Sequence, residues 1–230
     1  ILPVVSAMLP ARPAPSPAEV AAGAYLRVDF GPSNAEDGAP APTPDGFGLT
    51  WNAWHPARGG DQVLAGEALR GLRTTAGAAT GIDLVITGGF RANGLRNGGL
   101  TSPSYDLLGT MAVPGATQDF FYTEGADDPA GLAFTGLDPA RTYTLRLFAS
   151  RATDAERRVT RYIVDGAATA SADLLTSGAD IGRDGYDGND SEVLTLTDLR
   201  PDEWGQLYVD VQRLEGTFAY LSLLELEIAP

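Results

Sequence analysis

Gly136-Leu137-Asp138-Pro139 leads, three residues later, into Tyr143-Thr144-Leu145-Arg146-Leu147-Phe148. The first four residues signal a turn. After them Tyr143, Leu145 and Leu147 fall on one face of an extended chain while Thr144 and Arg146 point the other way, which is the period of a half-buried strand. The same period opens the domain at Tyr25-Leu26-Arg27-Val28-Asp29-Phe30, closed by Gly31-Pro32. Further strands are expected at Ile82–Thr87, Ala116–Tyr122, Thr142–Ser150, Val159–Val164, Glu192–Thr197, Gln206–Val211 and Ala219–Ile228. Helical spacing is confined to Val63–Leu72, where Gly66 and Gly71 weaken it, so at most one short helix is expected. Many short strands of this spacing, with 28 Gly and 16 Pro spread along 230 residues, predict one all-β domain, an antiparallel β-sandwich.

Composition narrows the chemistry. All basic residues are Arg, so a phosphate-binding loop ending in Lys is ruled out. The absence of Cys excludes thiolate zinc sites, disulfides and thiol catalysis. A formal charge of −14 repels nucleic acid and anionic membrane surfaces, leaving neutral sugars and divalent cations as better-suited partners. No apolar stretch is long enough to span a bilayer, and no basic n-region marks a retained signal peptide.

Residues 1–23 read differently from residues 24–230. Ile1, Leu2, Val4, Val5, Met8 and Leu9 make an apolar decamer with Pro3 and Pro10, followed by Pro13, Pro15 and Pro17 in an Ala/Pro/Ser stretch. Alternate prolines favour an extended spacer, and an apolar peptide ahead of it calls for a cover. A protein partner or shell that docks the arm is one expectation; packing along its own domain is the other.

Several segments together call up a known pattern: Val28-Asp29-Phe30-Gly31, Trp51-Asn52, the Gly136–Ser150 region running into Arg151, Arg161-Tyr162-Ile163-Val164-Asp165-Gly166, Pro201-Asp202 with Gly205, and Ala219-Tyr220-Leu221. Over roughly residues 25–229 the chain resembles galactose-binding-like β-sandwich domains, which occur beside polysaccharide-degrading enzymes and in phage-like particles. The resemblance implies a jelly-roll-like sandwich and, by analogy, carbohydrate binding. The arm is similar to the anchor peptides by which spikes and fibres plug into viral or gene-transfer-agent shells.

Sugar recognition needs an aromatic face for the pyranose ring and planar polar groups for its hydroxyls. Two segments offer that mixture. Trp51-Asn52-Ala53-Trp54-His55 with Arg58 supplies two indoles three residues apart; Trp51 reads as core, and Trp54 is either core or platform. Phe90–Gly99 brings Arg91, Asn93, Arg96 and Asn97 among three glycines, although an ordinary Asn-Gly hairpin is the slightly better account. Tyr105, Arg151 and Tyr186 join whichever patch shares their end of the sandwich. Asp184, Asp187, Asn189, Asp190 and Glu192, interrupted by Gly185 and Gly188, are the oxygen donors from which a structural Ca²⁺ site is conceivable, but they miss the EF-hand register and a solvated acidic turn is the better expectation. Arg157, Arg158 and Arg161 lie beside Asp154 and Glu156 and are expected in ion pairs.

No catalytic constellation is marked. His55 is the single histidine and lacks a nucleophile elbow to serve, and no carboxylate pair stands out for glycoside hydrolysis. The expected role is a non-catalytic domain that recognises cell-surface or extracellular polysaccharide, held by its arm to a larger assembly and displayed in several copies as a spike or fibre of a phage-like particle. An accessory module of a polysaccharide-degrading enzyme and a purely structural subunit are the alternatives.

Overall fold

The computed structural model of the chain describes residues 20–32, 34, 36–57, 60–125 and 130–229. The arm residues Ile1 through Leu9, and Arg58, lie outside the described residues. In chain order the strands are β1 (Tyr25–Phe30), β2 (Asn52–Trp54), β3 (Gln62–Val63), β4 (Ala68–Leu69), β5 (Asp83–Gly88) and β6 (Phe90–Asn93). Two single-turn helices follow, α1 (Tyr105–Leu108) and α2 (Pro114–Thr117). Then come β7 (Phe120–Thr123), β8 (Ala130–Thr135), β9 (Tyr143–Phe148), β10 (Arg158–Asp165), β11 (Thr169–Ser177), β12 (Leu194–Leu199), β13 (Leu207–Glu215), β14 (Ala219–Leu221) and β15 (Leu223–Ile228).

These strands make a β-sandwich. One sheet runs β12-β9-β15-β1-β2, a second β11-β10-β13-β8-β5-β4, and a third β14-β7-β6-β3. Every pairing is antiparallel except β1 with β2. The third sheet is built from strands that continue the other two: Gly89 alone separates β5 from β6, and Ser222 alone separates β14 from β15. Apolar side chains of the three sheets fill one shared core, with Leu26, Val28 and Phe30 from β1, Leu145 and Leu147 from β9, Leu132 and Phe134 from β8, and Phe120 and Phe121 from β7. Deep in that core the Tyr162 hydroxyl donates to the Tyr220 carbonyl at 2.6 Å, so a large ring is buried without leaving its polar tip unpaired.

The outward side of β1 is also covered. Residues 37–51 and 100–118 fold over it and make a second apolar cluster of Ala41, Trp51, Leu100, Leu108, Met111, Val113 and Ala116 with Phe148 and Leu223. Arg27, which points into this layer, spends its guanidinium on Glu225 at 2.7 Å and on the Thr110 carbonyl and hydroxyl.

Some sequence expectations are corrected. Val63–Leu72 forms no helix: Gly66 and Gly71 sit at φ of +90° and +64°, outside helical backbone, and the segment becomes β3, a turn and β4. Helix appears instead at α1 and at α2, where Pro114 occupies the first turn and takes Ala116 and Thr117 out of the expected strand, leaving β7. The expected Ala219–Ile228 strand is two strands, broken at Ser222 as the chain passes between sheets. β6, β8 and β11 were not expected as strands.

Candidate functional site

Most of the residues singled out for sugar binding are used by the fold. Trp54 is 4% exposed and stacks on Phe30 at 6.3 Å in the main core, so it offers no platform. The position on β2 explains this: β2 pairs in parallel with β1, and Trp54 opposite Phe30 points inward. Trp51 is core, as expected, in the outer cluster, its indole N–H donating to Asp45 at 2.8 Å. The Asn52 amide bridges the Arg27 and Arg73 carbonyls and accepts from the Arg73 N–H, a backbone splint with no free group. His55 is half-buried, its Nδ1 3.4 Å from the Gly31 carbonyl.

The Phe90–Gly99 group is likewise occupied. Arg91 lies on β6 and pairs with Asp61, and Arg96 pairs with Glu36 and Asp37. Asn93 accepts from the Gly94 N–H and the Asn97 amide, closing a turn. The expected ion pairs of the basic group form: Arg161 with Asp173 across β10 and β11, Arg158 with Glu156, and Arg157 with Glu215.

A different surface gathers hydroxyls, carboxylates and a guanidinium. The turn after β11 and the segment that opens α1 face each other across a cleft of about 380 Å³ lined by Leu100, Thr101, Ser102, Ser104, Leu107, Arg183, Asp184, Tyr186 and Asp190. Backbone bonds lock the walls together: Ala152 N–H donates to Gly98 and Thr153 N–H to Asp187, tying the β9–β10 connection to both. Tyr186 is packed tightly; a Cβ placed on Gly182 or Gly188 would come within 3.0 or 2.7 Å of its ring. Its hydroxyl lies 3.2 Å from the Ser150 hydroxyl, and burial holds it above the usual phenol range, so it stays a neutral donor and acceptor. Asp184 adopts left-handed backbone at φ 53°, which sets it at the exposed lip.

Asp190 is the most informative member. Its Oδ2 accepts from the Arg183 N–H at 3.0 Å, while Oδ1 is buried with no hydrogen-bond partner. The Arg183 side chain is exposed and makes no ion pair among the described residues. Tyr105 stands on α1 between Ser104 and Leu107, 58% exposed, its ring 5.4 Å from exposed Phe47. Of the residues named for a sugar patch, Tyr186 lines this cleft and Tyr105 adjoins it. Thr101, Ser102, Ser104 and Arg183 were missed; the hydroxyl-rich run Thr101-Ser102-Pro103-Ser104 was the available signal.

The acidic turn does not converge on a cation. Asp187 accepts from the Asp180 N–H at 2.9 Å, Asp190 from Arg183, and Asn189 accepts from Ser191 and Glu192 while donating to the Ala149 and Glu192 carbonyls. Among the described residues no three His, Asp or Glu side chains form a metal-holding group.

One other place carries unusual electrostatics. Asp29, on the outward side of β1, and Asp119, at the start of β7, are both buried. Asp29 Oδ2 accepts from the Ala41 N–H at 2.7 Å, but Asp29 Oδ1 and both oxygens of Asp119 have no hydrogen-bond partner among the described residues. Desolvation pushes both carboxyls well above the usual range, Asp29 to about 7, and the proximity of Asp29 raises Asp119 further.

Compared with known proteins, the chain matches no family model, and none of the curated proteins is a significant match.

Proposed function

We propose that this chain is a non-catalytic carbohydrate-binding domain whose sugar site is the cleft between residues 100–107 and 183–190. The observation that carries it is Asp190, a wall residue whose buried Oδ1 has no hydrogen-bond partner among the described residues, in a cleft that also holds hydroxyls, the Asp184 carboxylate and the Arg183 guanidinium, which makes no ion pair among those residues. A buried acceptor without a donor costs free energy, and a ligand hydroxyl relieves it. Thr101, Ser102, Ser104 and Tyr186 exchange hydrogen bonds with neighbouring hydroxyls, Arg183 forks onto a vicinal diol, and Leu100 and Leu107 offer apolar surface to C–H faces. The resemblance to galactose-binding-like domains supports the same class. Display by the N-terminal arm on a larger, phage-like assembly would convert a weak site into avid attachment to extracellular polysaccharide.

Glycan-array and capsular-polysaccharide retention tests this. A retained polysaccharide is expected to be lost at least tenfold in Arg183→Ala and Asp190→Asn, and to be unaffected in Trp204→Ala, which removes an exposed indole remote in sequence from the cleft. Equal retention by all three variants overturns the site; silence across the panel overturns the function.

A further inference from the structure

The buried carboxylates of Asp29 and Asp119 lie outside that cleft and need their own explanation. Strand alternation puts Asp29 on the outward side of β1, a side that is usually wet, yet residues 37–51 and 100–118 seal it. Three of the four carboxylate oxygens have no donor among the described residues. The charged groups on the surrounding segments are engaged elsewhere: Arg27 on β1 with Glu225 and Thr110, Arg96 with Glu36 and Asp37, and Arg91 on β6 with Asp61. His55, just past β2, has Nδ1 3.4 Å from the Gly31 carbonyl, and Tyr122 is the one titratable side chain on β7.

The main chain leaves Asp119 little room for water or an ion. A Cβ on Gly31 or on Gly38 would collide with Asp119 Oδ2, and one on Gly94 would come 2.5 Å from Asp119 Cβ and strike the Asp37 carbonyl oxygen. None of these three glycines has positive φ, so a bare Cα is needed there for space and not for backbone conformation. Residues 36–41 and 94–99 are thereby closed down on the end of β1. Few hydrogen bonds hold them: Ala41 N–H donates to Asp29 at 2.7 Å, Leu95 N–H to the Asp37 carbonyl at 2.6 Å, and the Gln118 amide to the Ala39 carbonyl at 3.0 Å.

We propose that Asp29 and Asp119 are an acid latch: as neutral acids they let residues 36–41 and 94–99 close over the end of β1, and on ionisation at alkaline pH they drive both segments open. A neutral carboxylic acid is buried here at modest cost, whereas a carboxylate sealed without donors, water or a cation is not tolerated. Opening relieves it, because the sealing segments are loops hung on a few bonds while β1 is held between β15 and β2. Burial, and for Asp119 also the neighbouring Asp29, pushes the two carboxyls up, to about 7 and about 10, so the closed form holds protons that the open form gives up. Rising pH therefore favours the open form, by about tenfold for each pH unit over which one acid is protonated when closed and ionised when open. The latch does not depend on the sugar site.

Amide hydrogen exchange of the parent chain between pH 6 and pH 9, read as protection factors so that the intrinsic exchange rate is removed, is the test. The Ala41 and Leu95 amides are expected to lose protection by about a hundredfold or more. At pH 9 their exchange should be insensitive to low urea, as in a local opening, whereas that of β9 and β10 should rise with urea. Asp119→Asn, close to isosteric, is expected to cut the loss to about tenfold or less, the share left to Asp29. Should it fail to fold, Asp29→Asn, whose amide oxygen still accepts from Ala41, replaces it and is also expected to shrink the loss. His55→Gln should keep the loss in full. Protection that does not change with pH in the parent overturns the latch, as does exchange of Ala41 and Leu95 only together with β9 and β10. A loss undiminished in both Asp→Asn variants, or one that disappears in His55→Gln, overturns it too.

Discussion

The chain carries acidic residues in two contrasting settings. Along residues 180–192 they are dense in sequence and largely exposed, and the Asp187 and Asp190 carboxylates each accept from a main-chain N–H seven residues away. Asp29 and Asp119 are ninety residues apart, isolated in sequence, buried, and short of donors. The sparse pair is the larger electrostatic anomaly, because in the crowded segment Asp190 Oδ1 alone is a buried carboxylate oxygen without a partner among the described residues. Desolvation without partners, rather than the number of acids, makes a carboxylate chemically available.

Adding a methyl group to each region should separate them most. Gly94→Ala drives a Cβ to 2.2 Å from the Asp37 carbonyl and 2.5 Å from Asp119, with main chain on both sides to resist. It is expected to destabilise by about 3 kcal/mol in chemical denaturation, through overpacking. Gly185→Ala in the acidic turn meets only the Asp180 carboxylate at 3.2 Å and suffers mainly from its φ of +78°, for about 1 kcal/mol. Equal losses would show the pair's surroundings to be no tighter than a surface turn.

The two settings should also respond differently to pH. Asp29 and Asp119 have folded-state pKa values raised above their unfolded values, so the native state binds more protons than the unfolded chain. Stability is then greatest below about pH 4 with respect to these groups and declines as pH rises through the folded pKa of Asp29, about 7, and on toward that of Asp119, about 10. Urea melts at pH 5 and pH 8 should show the lower midpoint at pH 8. A higher midpoint at pH 8 would mean that the pair is not desolvated as described.

How much of this the sequence discloses follows the same line. Strands whose alternation is clean and local, such as Tyr25–Phe30 and Tyr143–Phe148, are legible to the residue. β8 is not, because Ala130–Phe134 is buried on both faces and shows no alternation, and β11 is not, because its polar outer residues resemble a loop. Trp54 misleads because an indole's preference for the core or the surface depends on which way a parallel edge pairing turns it, and that pairing is non-local. The cleft was half legible: Tyr105 and Tyr186 were noted, but the meeting of residues 100–107 with 183–190 depends on β9, β10 and β11 bringing their loops to one end. The Asp29–Asp119 pair has no local signature, since its meaning lies wholly in burial.

The smallest effects test whether the acidic turn is structural only. Removing Asp187→Ala deletes one charge-assisted bond, from the Asp180 N–H, in a half-exposed setting where water replaces the acceptor. The expected loss is about 1 kcal/mol. Tyr186→Phe keeps the ring between Gly182 and Gly188 and removes only the hydroxyl that faces Ser150, so stability should fall by at most about 1 kcal/mol while polysaccharide retention falls several-fold. That separation matters because Tyr186 belongs both to the turn and to the cleft wall. A loss of retention no larger than the loss of stability predicts would reduce Tyr186 to a packing residue and move the sugar contact to Arg183 and Asp190 alone.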